Sequence, residues 1–420
     1  MTEHRDPPPL RTGPVAGDSP ADPVPPADTA RVRFLQKPGL PQLLVRNLFF
    51  GALTLGFYRF WAKTNLRRFL WASIAIDGEP LEYTGRAREL LIGFLIVMAV
   101  FVPLSVGYSA LQAMLLDSPQ AAFILSLAYI LAFYLLFNAA VWRARRYRLL
   151  RTLWRGIRAG QDGSTWVYMG KATLWLLLVP LSLGFALPWA LADFARYRIE
   201  HTTWGQFRGQ FSGTGRGLLL PWLLVMVLVV LPIVAGLAAA AAQVDWALVF
   251  TASDTRQARQ AFQPAVAWIG DSIILSLLVM VPVYAWFTIR WQRWYVGHAR
   301  LGPLRFSSDL RLRSLIGRGI LLLVVVPLFV GAVIAIGATA VAATYMRIWV
   351  AVPVALVFVV IGWSGMRLLG MLVFYVPVMR KVVEAITVEN LLAAAEARQS
   401  RQPDMKFGEG LADSFEIGIV

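Results

Sequence analysis

TLGFYRFWA at residues 54–62 and SLGFALPWA at residues 182–190 decide how this 420-residue chain is read. A hydroxyl residue, Leu, Gly, Phe and then Trp-Ala recur at the same spacing, and a basic stretch follows each. Glycine permits a tight reversal, so both stretches are expected to double back. Around them the chain carries eight apolar segments, at residues 41–61, 90–113, 121–142, 172–193, 218–242, 266–289, 319–343 and 349–377. Crossing about 30 Å of hydrocarbon takes about 20 apolar residues as helix. Six segments meet that. The first is broken by Arg46, Asn47 and Arg59, and the fourth by Pro180, Gly184 and Pro188.

Charge separates two topologies. If all eight segments cross, the loops hold 17 Lys and Arg on one side and 11 on the other. If the first and fourth return to the side they left, the loops hold 25 on one side and 3 on the other. Basic loops stay cytoplasmic, so the second arrangement is preferred. The expected fold class is an all-α polytopic membrane protein with internal repeats. It has about six transmembrane helices, re-entrant or interfacial helical hairpins at 41–61 and 172–193, and both termini on the cytoplasmic face of a bacterial inner membrane. Backbone at membrane depth needs partners for its polar groups, so the hairpins should pack against the spans.

Composition points the same way: 58% apolar and 15% charged residues, against about 45–50% and 25% in soluble domains. The absence of cysteine excludes a disulfide scaffold, a thiolate metal site and a cysteine nucleophile. Three histidines leave little for an imidazole metal site. No cofactor and no enzymatic activity are expected. The net charge of +16 resides in short stretches between apolar segments, which fits membrane lipids as partners and not nucleic acid. Three regions follow: a disordered Pro-rich tail (1–33), a repeat-built transmembrane domain (34–377), and a cytoplasmic helix with an acidic tail (378–420). In that tail Asp404, Glu409, Asp413 and Glu416 are positioned to dock on the basic loops.

The basic loops share a second pattern, an Arg-rich stretch and then a turn glycine among alternating apolar and charged residues. It is read at Gly78, Gly156, Gly205 and Gly302. Such stretches predict short β-hairpins. A two-stranded hairpin is marginal alone in water, so these should pair with one another or rest on headgroups.

The run NLFFGALTLGFYRFWAKTNLRRFLWASIAIDGEPLEYTG (47–85) resembles the signature region of the YjgN-like family of bacterial inner-membrane proteins. GEGLADSFEIG (408–418) is similar to that family's C-terminal motif. The resemblance covers about residues 34–420. It implies an inner-membrane location and repeat architecture, and it supplies no activity, substrate or catalytic residue.

Ionisable residues at span depth mark functional candidates. Arg367 lies near the middle of the eighth segment among Gly362, Gly365 and Gly370. Asp193 follows the second LGF motif and could pair with Arg196 on one helix face. With Gly56, Gly184, Trp61 and Trp189 of the two turn motifs, these form the candidate polar cavity or broken-helix site. Arg46, Arg59, Asp271 and Arg290 lie nearer segment ends, where arginine can snorkel. Arg143, Arg145, Arg146, Arg290 and Arg293, interleaved with Trp and Tyr, are candidate lipid-headgroup contacts. His201 and His298 sit four residues before Gly205 and Gly302. They read as interfacial histidines bonded to backbone, or as a titrating pair. The function expected is a transporter or channel for an anionic or amphiphilic solute. The alternative is a lipid-binding or scaffolding protein without a pore.

Overall fold

A computed structural model describes residues 28–54, 56–251, 254–342 and 348–399. It overturns the all-α assignment. The protein is mostly helical, but the basic loops do not remain isolated hairpins. They join into one nine-stranded antiparallel sheet curled into a half-barrel.

The strands are short and widely separated in sequence: β1 (Thr29–Arg31), β2 (Arg33–Phe34), β3 (Ile74–Ile76), β4 (Glu79–Pro80), β5 (Glu82–Tyr83), β6 (Thr152–Trp154), β7 (Ile157–Gln161), β8 (Thr202–Trp204), β9 (Phe207–Phe211), β10 (Ala299–Leu301), β11 (Leu304–Ser308) and β12 (Ile386–Glu389). Four two-residue turns make the hairpins. Asp77-Gly78 and Arg155-Gly156 have positive φ at both positions, whereas Gly205-Gln206 and Gly302-Pro303 have it at the glycine. These are the two turn classes whose twist matches paired strands. An open hairpin edge is a row of unpaired amides, and neighbouring hairpins satisfy one another here. Gln161 pairs with Thr202, Phe211 with Ala299 and Phe306 with Val388.

The order β1-β12-β11-β10-β9-β8-β7-β6-β5 leaves two edges, and a second sheet, β2-β3-β4, joins them. β1 and β2 are one strand that changes partner around Val32, whose amide donates to the Ile386 carbonyl (2.9 Å). β4 and β5 are likewise one strand, and Leu81 N–H donates to the Ile74 carbonyl (2.9 Å). The two sheets together therefore form a closed ring of strands. Trp154, Trp204, Leu304, Val388 and Val32, from strands around that ring, meet in one buried cluster. The Trp154 and Trp204 rings are 4.8 Å apart. Leu70, Met379 and Val383 enter the cluster from the helices, and Leu391 and Ala394 from a 3-10 helix, Leu391–Glu396.

Two boundary expectations change with the ring. Residues 29–33 of the Pro-rich segment are strand, while residues 1–27 lie outside the described residues. The stretch 378–399, read as one helix, is α-helical only to Glu384, then becomes β12 and the 3-10 helix Leu391–Glu396. Its Ile-Thr-Val run pairs on both sides, with β11 and β1, and this pairing outweighs the helix propensity of the flanking residues. The acidic residues 404–416 lie outside the described residues.

Helical excursions connect the strands. The long helices are α3 (Ala87–Met114), α4 (Pro119–Leu150), α7 (Arg216–Gln243), α9 (Thr255–His298), α10 (Arg313–Ala342) and α11 (Ile348–Leu369). α11 continues through a π-helical turn (Gly370–Tyr375) into α12 (Val376–Glu384). Among the described residues six helices, counting this last continuous stretch once, are long and apolar enough to cross a membrane. At most 22% of the most apolar stretch of any of the six is buried within the protein, which is compatible with a membrane protein.

The remaining helices are shorter: α1 (Leu40–Leu53), α2 (Arg59–Ala72), α5 (Thr165–Leu181), α6 (Leu187–Glu200) and α8 (Trp246–Thr251). α1 packs on α2 and α5 on α6, and the two LGF motifs form the turns between them. Gly56 (φ 90°) and Gly184 (φ 87°) take the left-handed conformation. Their amides donate five residues back, to the Gly51 and Val179 carbonyls, each at 2.8 Å. This is the closure of a helix that ends in a left-handed glycine. The hydroxyl residue starts the next helix. Tyr58 N–H donates to Thr54 Oγ1 and Ala186 N–H to Ser182 Oγ, each at 2.9 Å. The hydroxyl residue and the glycine thus stop one helix and start another.

Candidate functional site

The two helical hairpins share a turn but not their surroundings. Beside the second turn, Trp222 Nε1 donates to the Gly184 carbonyl (2.9 Å), and Met226 packs over the glycine. Beside the first, nothing comes within 4 Å of where a Gly56 Cβ would sit. A cavity of about 750 Å³ lies there, between α1, α2 and the end of α11.

Its walls are part apolar and part cationic. Leu44, Leu48 and Ala52 of α1 face Val360, Leu368 and Met371. Arg59, Lys63 and Arg67 of α2 line one side and Arg367 of α11 the other; among the described residues no carboxylate lines it. Residues 59, 63 and 67 are spaced four apart and so share one helix face. Arg67 is 6% exposed, and its Nη1 donates to the Tyr83 hydroxyl (3.3 Å). The Arg59 guanidinium lies over the Phe60 and Phe94 rings, 4.8 and 4.3 Å from their centroids. Buried Asn47 ties the two helices together, donating from Nδ2 to the Ala62 carbonyl (3.3 Å). The π-helical turn contributes Gly370, Met371 and Tyr375 to the wall. Such turns widen a helix locally and are frequent at functional sites.

Of the residues expected from sequence, Arg367 and Gly56 meet in this cavity. Trp61 is on the same hairpin but does not line it. It is 38% exposed and stacks on Tyr58, with centroids 6.3 Å apart. Asp193, Gly184 and Trp189 belong to the other hairpin. Asp193 accepts from Lys171 Nζ (2.6 Å) and Trp175 Nε1 (2.9 Å). Arg196, its expected partner, donates instead to the Gly213 carbonyl (3.2 Å). Trp189 abuts Gly215.

The headgroup candidates divide. Arg143, Arg290 and Arg293 are exposed, with Arg290 over the Trp286 ring. Arg145 turns inward and donates to Gln161 Oε1 (2.7 Å) and Thr202 Oγ1 (2.8 Å). Arg146 is half-buried. His201 and His298 each place Nδ1 2.8 Å from a carbonyl four residues earlier, Tyr197 and Trp294. A carbonyl only accepts, so Nδ1 carries the proton and both rings cap helix ends. Among the described residues no three His, Asp or Glu side chains converge as a metal-binding group.

Sequence reasoning missed Lys63, Arg67, Asn47 and Tyr375. The four-residue spacing of Arg59, Lys63 and Arg67 was the available signal.

Six apolar helices standing on a ring of strands are compatible with a membrane protein. The chain belongs to the family described as bacterial protein of unknown function (DUF898), whose match covers residues 39–414. This is the YjgN-like family that residues 47–85 resemble. No curated protein and no solved structure matches the chain.

Proposed function

We propose that the protein is an integral inner-membrane protein that takes an anionic amphiphile into the cavity between α1, α2 and α11, as the binding step of its transport. The observation that carries this reading is the cavity itself. Three cations on one helix face Arg367 across an apolar-walled space. Such a space suits a negatively charged head attached to a hydrocarbon body, since a preformed pocket needs few polar groups to orient an apolar ligand.

Topology supports the location. Every helical excursion leaves the strand ring and returns to it, so each pair crosses twice or not at all. Arg143 and Arg290 both lie nine residues before the first strand residue of their loops, about 13 Å along a helix. Gly56 and Gly184 both lie eighteen residues before theirs, about 27 Å away. The hairpin tips therefore reach about 13 Å past the level of those arginines, under half of a hydrocarbon core of about 30 Å. Both hairpins dip into one leaflet and return. The ring, its basic loops and both termini are cytoplasmic on this reading. The recurring helix-and-hairpin unit is an internal repeat, with membrane lipids as partners and neither a nucleic acid nor an enzymatic reaction involved.

The test is native mass spectrometry of the purified protein, followed by flux from proteoliposomes. A Lys63→Gln/Arg367→Gln variant should retain at least tenfold less of whichever anionic amphiphile co-purifies. Equal retention would remove the cavity as the site. Retention without flux would leave the scaffolding alternative, a lipid-binding protein that moves nothing.

A further inference from the structure

The outer wall of the ring carries a second cleft, away from the cavity between α1, α2 and α11. It arises where β8 meets α6. β8 begins at Thr202, directly after α6, while its partner β9 continues to Phe211. The Gly302 and Ser212 amides donate to the Arg208 and His298 carbonyls (3.0 and 3.1 Å), so Arg208 and Ser212 turn their peptide groups toward β10. Successive residues of a strand face alternate neighbours. Phe211 therefore faces the side where the strand has given way to helix, and a cleft of about 510 Å³ occupies that notch. Phe207 and Leu301 pack into the core of the ring, which puts their alternates Arg208, Gln210 and Arg300 on its outer face. All three are exposed, and all three line the cleft with Glu200 and His201 of the α6 end.

The two sides of the cleft have opposite chemistry. On the α6 side everything accepts. The Glu200 carboxylate has no hydrogen-bond or ion-pair partner among the described residues; only its backbone carbonyl is used, by Arg208 Nε (3.0 Å). His201 Nδ1 holds its proton on the Tyr197 carbonyl (2.8 Å), which leaves Nε2 with a lone pair. The last carbonyls of a helix are the negative end of its dipole. Carboxylate, lone pair and helix end together suit a cation that donates hydrogen bonds.

On the strand side the charge is positive. The Arg300 guanidinium is likewise without a partner among the described residues. Arg208 adds its field from beside it, held by Asp162 through Nη2 (2.9 Å). Gln210, paired with Arg300 across β9 and β10, adds an amide. A simple anion would meet the charge of Glu200 and a simple cation that of Arg300, whereas a ligand with both ends satisfies both. At the corresponding place in the next unit His298 follows Gly297, not an acid, so this pairing of ends is particular to α6.

We propose that the cleft binds a zwitterionic phosphate ester of the ethanolamine type, with its ammonium on Glu200 and His201 Nε2 and its phosphate on Arg300. Glu200 lies two residues before β8, against nine for Arg143 and Arg290 before their strands, which sets the cleft about 10 Å nearer the ring than those arginines. A lipid headgroup and a free solute both have access at that level. The site is separate from the cavity and stands whichever ligand the cavity takes.

The test is isothermal titration of the full-length protein in detergent with glycerophosphoethanolamine, glycerophosphocholine and inorganic phosphate. The choline ester has no N–H to donate and phosphate has no cation, so each should bind roughly tenfold more weakly than the ethanolamine ester, as for one lost hydrogen bond to a charged group. Glu200→Gln and Arg300→Gln should each weaken the ethanolamine ester by a similar factor and leave the thermal midpoint of the unliganded protein unchanged. Phosphate binding as tightly as the ester, or unaltered affinity in both variants, would overturn the proposal. A second arm separates the sources, by native mass spectrometry from nanodiscs holding equal amounts of choline and ethanolamine lipids. Enrichment of the ethanolamine lipid that Glu200→Gln/Arg300→Gln abolishes assigns a headgroup, and binding of the soluble ester without enrichment assigns a solute. Neither binding nor enrichment would remove the site.

Discussion

Gly209→Ala should be among the most damaging single-methyl additions in the ring. Gly209 is the middle residue of β9, paired with Leu301 of β10, while the adjacent Arg208 pairs with Thr203 of β8. A Cβ built there would lie 1.9 Å from the Ile199 carbonyl oxygen in the last turn of α6. Carbon–oxygen contacts settle near about 3.3 Å, so strand and helix would have to part by about 1.4 Å. β9 is held on both sides and cannot retreat without loosening a ladder. Overpacking of this kind costs about 1–3 kcal/mol, and two weakened ladder bonds add about 1 kcal/mol each. The expected loss is about 3–5 kcal/mol. Gly107→Ala is the reference, because nothing lies within 4 Å of its Cβ position in α3 and alanine favours a helix by about 1 kcal/mol. Thermal unfolding of both variants in one detergent, followed by fluorescence-detected size exclusion, gives the comparison. If Gly209→Ala unfolds at the temperature of Gly107→Ala, α6 does not press on the ring as described.

Other expectations follow from the hairpins and from sidedness. Asp77→Cys should react with an impermeant thiol reagent only from the cytoplasm and Asp117→Cys only from the opposite side, in spheroplasts and inverted vesicles; labelling of both from one side would refute the proposed crossing. Thr54→Val and Ser182→Ala should each cost about 1 kcal/mol through the lost helix-start hydrogen bond, read as a lower midpoint in the same detergent assay. Asp193→Asn removes the charged acceptor of Lys171 and Trp175 and should cost about 1–3 kcal/mol. Retention of an anionic amphiphile should be unchanged in that variant, because Asp193 does not line the cavity.

Sequence and structure meet most closely where the signal is local. The long apolar runs became α3, α4, α7, α9, α10 and α11, because about twenty consecutive apolar residues carry their own instruction. The LGF turns were legible for the same reason: stop, reversal and restart are all encoded within five residues. The four hairpins of the ring were legible at their turn glycines, Gly78, Gly156, Gly205 and Gly302, and three of them pair with one another as one of the two expectations had it. The closure of the ring was not legible, because its last strands carry no turn signal and their partners come from distant chain. Thr29–Arg31 sat hidden at the end of a proline-rich stretch, and Ile386–Glu389 lay among good helix formers. The candidate site divides in the same way. The cationic stripe of α2 could be read from spacing, but nothing local announced that α11 would face it. Asp193 was assigned to Arg196, three residues away, when its partner Lys171 stands across the hairpin on α5.

The last pairing of the ring has a consequence for the order of synthesis. Thr29 must wait for Glu389, about 360 residues later, which at about 5–20 residues per second is roughly 20–70 s of translation. Every membrane hairpin is made while that seam is still open. A ribosome that stalls before β12 therefore leaves an unzipped circle with exposed strand edges, a mark by which a protease could tell an unfinished copy from a finished one.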